Sequence, residues 1–190
     1  MAAHLIRRRF LAFVAAGLFL ACLSPIQASA ETAAPAAEAV TRLFLVRHGE
    51  KEAGSDPALS PAGALRAAAL VERLSDEGVT EIWSTATRRT QETAAPLAAA
   101  LGLPVQIYDP VQLPAFGNQL AATPGVKLVV GHSNTTDALA ALIGADPGPP
   151  IDEAAEFDRL YVVTITGGYQ VTSRIERYGA PASGAETPLP

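Results

Sequence analysis

The apolar run Leu43-Phe44-Leu45-Val46 gives way to Arg47-His48-Gly49 with no transitional residue. Four apolar residues in succession, rich in β-formers, read as a strand covered on both faces; a strand with one wet face would alternate. A second run of this kind, Val126–Val130, breaks into Gly131-His132-Ser133-Asn134. Between them, Val79–Ser84 reads as a short strand that leads into Thr85-Ala86-Thr87-Arg88-Arg89-Thr90. Doubly covered strands need helices on both sides of their sheet, and the intervening stretches supply them.

Ser60-Pro61 has the form of an N-cap followed by proline at the first helical position. Leu65, Ala69, Leu70 and Leu74 then recur at helical spacing, and Gly78 ends the segment. Arg88–Leu101 reads as a second helix stopped by Gly102, with a kink or a two-part helix expected at Pro96. Pro104–Tyr108 is a third strand. Asp109–Gly125, with three prolines, is expected to be a surface loop carrying a short helix. Thr135–Ile143 is a helix that Gly144 ends, and Asp146–Glu156 is an acidic, proline-rich loop. Arg159–Thr166 and Tyr169–Arg177 alternate and meet at Gly167-Gly168, a hairpin signal. Strands alternating with helices, plus one terminal hairpin, predict a three-layer α/β/α sandwich with a mostly parallel central sheet over residues 41–178.

The ends read differently. Arg7-Arg8-Arg9, the apolar stretch Phe10–Leu23 and Ala28-Ser29-Ala30 are the parts of a secretory signal peptide over residues 1–30. The apolar stretch is shorter than the roughly 20 residues that span a bilayer, so an uncleaved anchor is the less favoured reading. Arg7–Leu11 resembles a twin-arginine export pattern with Ile6 where Ser or Thr is usual, and a lipid-anchor reading around Cys22 fits poorly. Residues 31–40 read as an Ala/Pro linker and residues 179–190 as a disordered tail. Cleavage after Ala30 would take the formal charge from −5 to −8 and would remove the single cysteine. A periplasmic or secreted domain without disulfide or cysteine-based zinc site is the expectation, with no stable membrane insertion after cleavage. An acidic chain of this kind lacks the basic stripe of a nucleic-acid binder.

Three strand ends thus carry polar clusters, and in a parallel sheet such ends share one edge. Arg47, Arg88, His48 and His132 around one point would form an anion site that also holds a nucleophile. The segments VRHGE, STATRRTQETA and GHSNT resemble the three signature segments of the histidine phosphatase (phosphoglycerate mutase-like) superfamily, over about Arg42 to Arg177. The resemblance implies that His48 becomes phosphorylated, that Arg47 and Arg88 bind phosphate, that His132 is the second active-site histidine, and that no metal or other cofactor is required. Ser84-Thr85-Ala86-Thr87-Arg88 matches the Ser-x-x-x-Arg spacing of the family and selects Arg88 over Arg89, which reads as a solvated or salt-bridged residue. A neutral His48 would attack phosphorus, while Arg47, Arg88 and a protonated His132 would spread the charge of the transferring group.

The proton donor to the leaving group is harder to place. Ser133 stands where the acid-phosphatase branch has aspartate. The only acidic residue between Glu92 and His132 is Asp109, which becomes the candidate acid, with the start of an Asp-Pro turn as its alternative. Lys51 would recruit an anionic substrate at the mouth. Asn134 would either contact substrate or cap a helix. The expected activity is that of an exported phosphomonoesterase acting on a small or envelope-linked phosphomonoester, similar in setting to lipopolysaccharide heptose phosphatases. A binding module for phosphorylated ligands and a phosphotransferase or mutase using the same histidine are the alternatives.

Overall fold

A computed structural model describes residues 39–167 and 170–181 of the chain. The expected signal peptide, nearly all of the linker and most of the tail lie outside the described residues. Along the chain run β1 (Val40–Arg47), α1 (Pro61–Leu74), β2 (Glu81–Ser84), α2 (Arg88–Leu101), β3 (Val105–Ile107), a 3₁₀ turn (Pro110–Gln112), α3 (Leu113–Ala122), β4 (Gly125–Gly131), α4 (Ser133–Leu142), β5 (Arg159–Thr166) and β6 (Gln170–Arg177). The strand order is β3-β2-β4-β1-β5-β6. The first four strands in that order are parallel, and β5 and β6 close one side antiparallel.

β1 is the spine. Its alternate residues enter two different cores, as period-2 geometry demands. Leu43 and Leu45 pack with Val129, Tyr161 and Val163 against Phe116 and Leu120 of α3 and Leu139 of α4. Phe44 and Val46 pack with Ile82, Leu128 and Val162 against Leu70 and Leu74 of α1 and Leu97 of α2. The helices therefore form one layer on each side of the sheet, as the doubly apolar strands require.

Two elements depart from expectation. α2 is one helix from Arg88 to Leu101 with Pro96 inside it, which departs from the two-part form of the expectation. Proline's fixed φ suits a helix, and what it withdraws is one N–H from the ladder. Its neighbours Ala94, Leu97 and Ala98 are buried against the sheet, and that packing holds the helix in one piece. The stretch after β3 is also more regular than a loop with a short helix, because α3 is a ten-residue helix. Its C-terminus is held by Lys127, whose side chain is 0% exposed on β4. The Lys127 ammonium donates to the Leu120 carbonyl (3.1 Å), the Thr123 hydroxyl (2.6 Å) and the Thr123 carbonyl. A cation thus meets the orphan carbonyls at a helix end. Among the described residues no helix is long and apolar enough to cross a membrane.

The loop leaving β1 is pressed against the first turn of α1, where Ser60 caps the helix by accepting from Gly63 N–H (3.2 Å). A Cβ on Gly63 would fall 2.0 Å from the Glu50 carbonyl oxygen, and one on Gly49 would fall 2.9 Å from the Gly63 carbonyl oxygen. Two backbones meet here with no room for a methyl group. Gly63→Ala is expected to cost about 3 kcal/mol or more, because neither backbone can retreat without moving a strand end. A thermal or urea unfolding curve checks this; a variant as stable as wild type would refute it.

Candidate active site

Strand register does the first part of the assembly. β1 and β4 pair in parallel with Arg47 opposite Gly131, so the next residue on each strand is a histidine. The two imidazole centroids lie 5.5 Å apart, edge to face. His48 donates its backbone N–H to the Gly131 carbonyl (2.9 Å), and the Thr136 hydroxyl donates to the Val46 carbonyl (3.3 Å). Gly131 is walled by the hydroxyls of Thr135, Tyr108 and Thr136, each within 3.0 Å of where a Cβ would stand. The Gly49 N–H donates to the Thr93 hydroxyl (3.0 Å), which donates to the Arg89 carbonyl (2.7 Å). The end of β1 is thereby fastened to both β4 and the first turn of α2.

The hydrogen bonds assign the tautomers. Nδ1 of His48 lies 2.7 Å from the Gly49 carbonyl, which can only accept. Nδ1 therefore carries the proton and Nε2 keeps its lone pair. Burial lowers the His48 pKa from 6.5 to about 3; the bond to Gly49 opposes the shift, and Arg47, Arg89 and His132 reinforce it. In His132, Nδ1 lies 3.2 Å from Nη2 of Arg89, which can only donate. Its Nε2 then bears the proton and donates to the Thr85 hydroxyl at 3.0 Å. Burial, followed by Arg89 and Arg47, lowers the His132 pKa to about 4. His132 is thus neutral in the ligand-free site rather than protonated. Two guanidinium groups already supply positive charge there, and a third cation would be repelled.

Arg47 is 2% exposed. Its Nη1 donates to the carbonyls of Asp152 (3.1 Å) and Glu156 (3.0 Å), and its Nη2 to the carbonyl of Glu153 (2.7 Å). The guanidinium carbon stands 4.0 Å from the centre of the Phe157 ring. Nε is buried without a hydrogen-bond partner among the described residues. The donors left over, Nε–H and one N–H of Nη2, form the side-on fork of the guanidinium. The same pair of nitrogens binds a carboxylate in Arg66, whose Nε and Nη2 both reach Glu50. A fork of this kind matches two oxygens of a phosphoryl group.

The second arginine of the site is Arg89, and Arg88 is corrected. The Arg88 side chain is 60% exposed and pairs with Glu92 at 2.7 Å, one helical turn away. Arg89 is 18% exposed, touches His132, lies 3.7 Å from Asp56, and buries an unpartnered Nε. Helix phase decides between them. Arg89 shares its face with Thr93 and Leu97, which are buried, whereas Arg88 shares its own with Glu92. The Arg88/Glu92 spacing of i,i+4 is the sequence signal that could have marked Arg88 as a surface residue.

Among the described residues, none of the other candidates hydrogen-bonds to the side chains of this cluster. Asp109 is exposed and accepts from Val111 N–H (2.9 Å) at the start of the 3₁₀ turn, so it takes the turn-forming alternative rather than that of an acid facing the histidines. Lys51 is exposed and bridges Leu59 across the loop after β1. Asn134 is exposed in the first turn of α4, where the hydroxyl of Thr135 accepts from His132 N–H (2.9 Å). Glu50 is tied to Arg66, and that pairing holds its carboxyl below the usual range against the opposing effect of burial. Among the described residues no group of three His, Cys, Asp or Glu side chains is arranged to hold a metal ion.

A family model described as "Histidine phosphatase superfamily (branch 1)" matches residues 43–117. No curated protein matches the sequence. Among solved structures, the protein histidine phosphatase SixA complexed with tungstate superposes with a TM-score of 0.58 at 18% identity, covering 72% of this chain and 96% of that one. A mycobacterial hydrolase gives 0.55 at 16% identity, covering 74% and 99%. The mycobacterial glucosyl-3-phosphoglycerate phosphatase gives 0.52 at 16% identity, covering 75% and 100%. At these identities the likeness is one of fold.

Two measurements check the site. Arg89→Met should weaken inorganic phosphate by roughly 10- to 100-fold in a calorimetric titration, and Arg88→Met by less than about twofold. An NMR titration should find both imidazoles neutral from about pH 8 down to about pH 5. Stability should decline as pH falls below 6.5, because the unfolded chain then binds protons that folded His48 and His132 refuse. An imidazole titrating near its ordinary value would contradict the burial and the tautomers assigned here.

Proposed function

We propose that this chain, which belongs to the histidine phosphatase superfamily, hydrolyses phosphomonoesters through a phosphohistidine on His48, needs no metal ion, and works outside the cytoplasm. The observation that carries the reading is the pair of buried, unpartnered guanidinium Nε–H donors on Arg47 and Arg89, beside two neutral imidazoles. A buried donor left unpaired costs about 1–3 kcal/mol, and an oxyanion would pair both at once. That a structurally similar protein is complexed with tungstate, a tetrahedral oxyanion, supports the same reading.

The chemistry follows from the tautomers. Nε2 of His48 carries a lone pair at neutral pH, attacks phosphorus in line, and forms the N–P bond as the ester P–O bond breaks. The Arg47 fork and the Arg89 Nε–H hold the equatorial oxygens, where charge gathers in the transition state. A bound dianion favours protonation of His132, which otherwise stays neutral, so the site acquires its third cation only with substrate present. Water then attacks the phosphohistidine, releases inorganic phosphate and restores neutral His48. Among the described residues no carboxyl group contacts either histidine, so esters with good leaving groups react fastest.

For location, the basic run Arg7–Arg9 followed by an apolar stretch and an Ala-x-Ala site supports export and cleavage after Ala30. Intact mass of the protein from a periplasmic fraction checks it; retention of residues 1–30 would refute cleavage.

Purified protein incubated with p-nitrophenyl phosphate and excess EDTA should turn over. His48→Ala should lower turnover by on the order of 100-fold or more, and rapid quench at low substrate excess should trap an acid-labile phosphoenzyme. Turnover abolished by EDTA, or undiminished in His48→Ala, would overturn the reading.

A further inference from the structure

The segment between α4 and β5 surrounds the Arg47 guanidinium with three carbonyl groups and the Phe157 ring. We propose that Glu156 is a positioning residue, anchoring the 152–156 turn so that Arg47 presents its side-on fork to the phosphoryl group. This rests on the functional reading above and extends it to a residue that touches neither histidine.

Three carbonyls from one short turn converge on a single guanidinium, those of Asp152, Glu153 and Glu156. They take the end-on donors and leave the side-on pair. Carbonyls act this way only if the turn is rigid, since a loose loop would let the guanidinium rotate about its long side chain. The turn is closed by Glu156 N–H to the Asp152 carbonyl (2.9 Å), and by Ala154 N–H to Oδ1 of Asp152 (2.8 Å). Phe157, the next residue, lies against both the Arg47 guanidinium and the His48 ring, whose centroid is 6.2 Å from its own.

Glu156 connects this turn to the sheet. Its carbonyl accepts from Arg47, while its carboxylate, in a residue 8% exposed, accepts from four donors. These are Asp152 N–H (3.1 Å), Nε and Nη2 of Arg159 (2.7 and 2.8 Å) and Nη1 of Arg177 (2.6 Å). Arg159 opens β5 and Arg177 closes β6, so the turn is pinned to the strand that pairs with β1 and to the edge strand beyond it. Arg159 also donates to the carbonyl of Pro149 (2.7 Å), which extends the same anchorage along the preceding segment. A buried carboxylate with both oxygens engaged is a rigid joint, and removing its charge takes from buried Arg159 the carboxylate it pairs with, while Arg177 keeps Asp158 at 2.7 Å.

The prediction concerns coupling, not mere loss. Glu156→Gln should weaken inorganic phosphate, measured by calorimetry, by about tenfold or more and raise KM for p-nitrophenyl phosphate similarly. In an Arg47→Lys background the same substitution should add less than about twofold, because a residue acting through Arg47 has nothing left to position. Equal losses in both backgrounds would mean a general structural role and would overturn the proposal. So would phosphate affinity unchanged in folded Glu156→Gln. Should Glu156→Gln fail to fold, Arg177→Gln removes one donor from the exposed side of the joint, and the same cycle is run with it.

A second readout does not depend on activity. In wild type the Nη protons of Arg47 should exchange slowly and give resolved NMR signals, and in Glu156→Gln they should merge and exchange fast. Unchanged Arg47 signals would overturn the proposal even where phosphate binding could not be seen. Wild-type protein that bound no phosphate and turned over no ester would instead refute the functional reading, leaving the NMR comparison to decide the role of Glu156.

Discussion

The pairing of β1 with β4, Arg47 opposite Gly131, is the constraint on which the rest of the structure depends. Two strands far apart in sequence end level with each other, and each continues into a histidine. A slip of one residue would send one of the two side chains to the opposite face and the cluster would vanish. The register is secured on both faces, because Leu43 and Leu45 enter one core while Phe44 and Val46 enter the other. Burial on two sides leaves a strand no alternative pairing of comparable energy. The site inherits its precision from the hydrophobic cores beneath it.

Electrostatics then sets what the cluster can do. Two arginines share a desolvated space with two imidazoles, and the cost is met by keeping both rings neutral. Fixed backbone carbonyls and a stacked phenyl ring satisfy part of Arg47, and His132 satisfies part of Arg89. What stays unsatisfied is a pair of Nε–H groups. That arrangement is rigid, cationic and short of acceptors, and its natural complement is an anion with several oxygens. The nucleophile beside it remains neutral until that anion arrives.

Much of the fold could be read from residue order. Doubly apolar strands, helix caps such as Ser60-Pro61, and the alternating hairpin each declare themselves through local physics, and the layers follow. The misreadings have tertiary causes. Pro96 leaves α2 whole because the sheet holds the helix on both sides of the missing hydrogen bond. The helix after β3 is longer than its prolines suggest because Lys127, from a strand that comes later, caps its end. A lysine within the run VKLVV carries no local sign that it will be fully buried.

The site divides in the same way. Sequence alone determined that Arg47, His48 and His132 stand at strand ends of a sheet covered on both sides, because apolar runs and the residues that break them are local features. Between Arg88 and Arg89 its signals conflicted, because the Ser-x-x-x-Arg spacing selects Arg88 while the i,i+4 spacing to Glu92 marks Arg88 as a surface residue. Only the packing of α2 against the sheet decided which faces the histidines and which meets water. Nor could the sequence reveal that Asp109 spends its carboxylate on its own turn, or that Glu156 lies at the hub of the segment that grips Arg47. The orientation of a guanidinium depends on acceptors more than 100 residues away along the chain, and that information exists only once the sheet has closed.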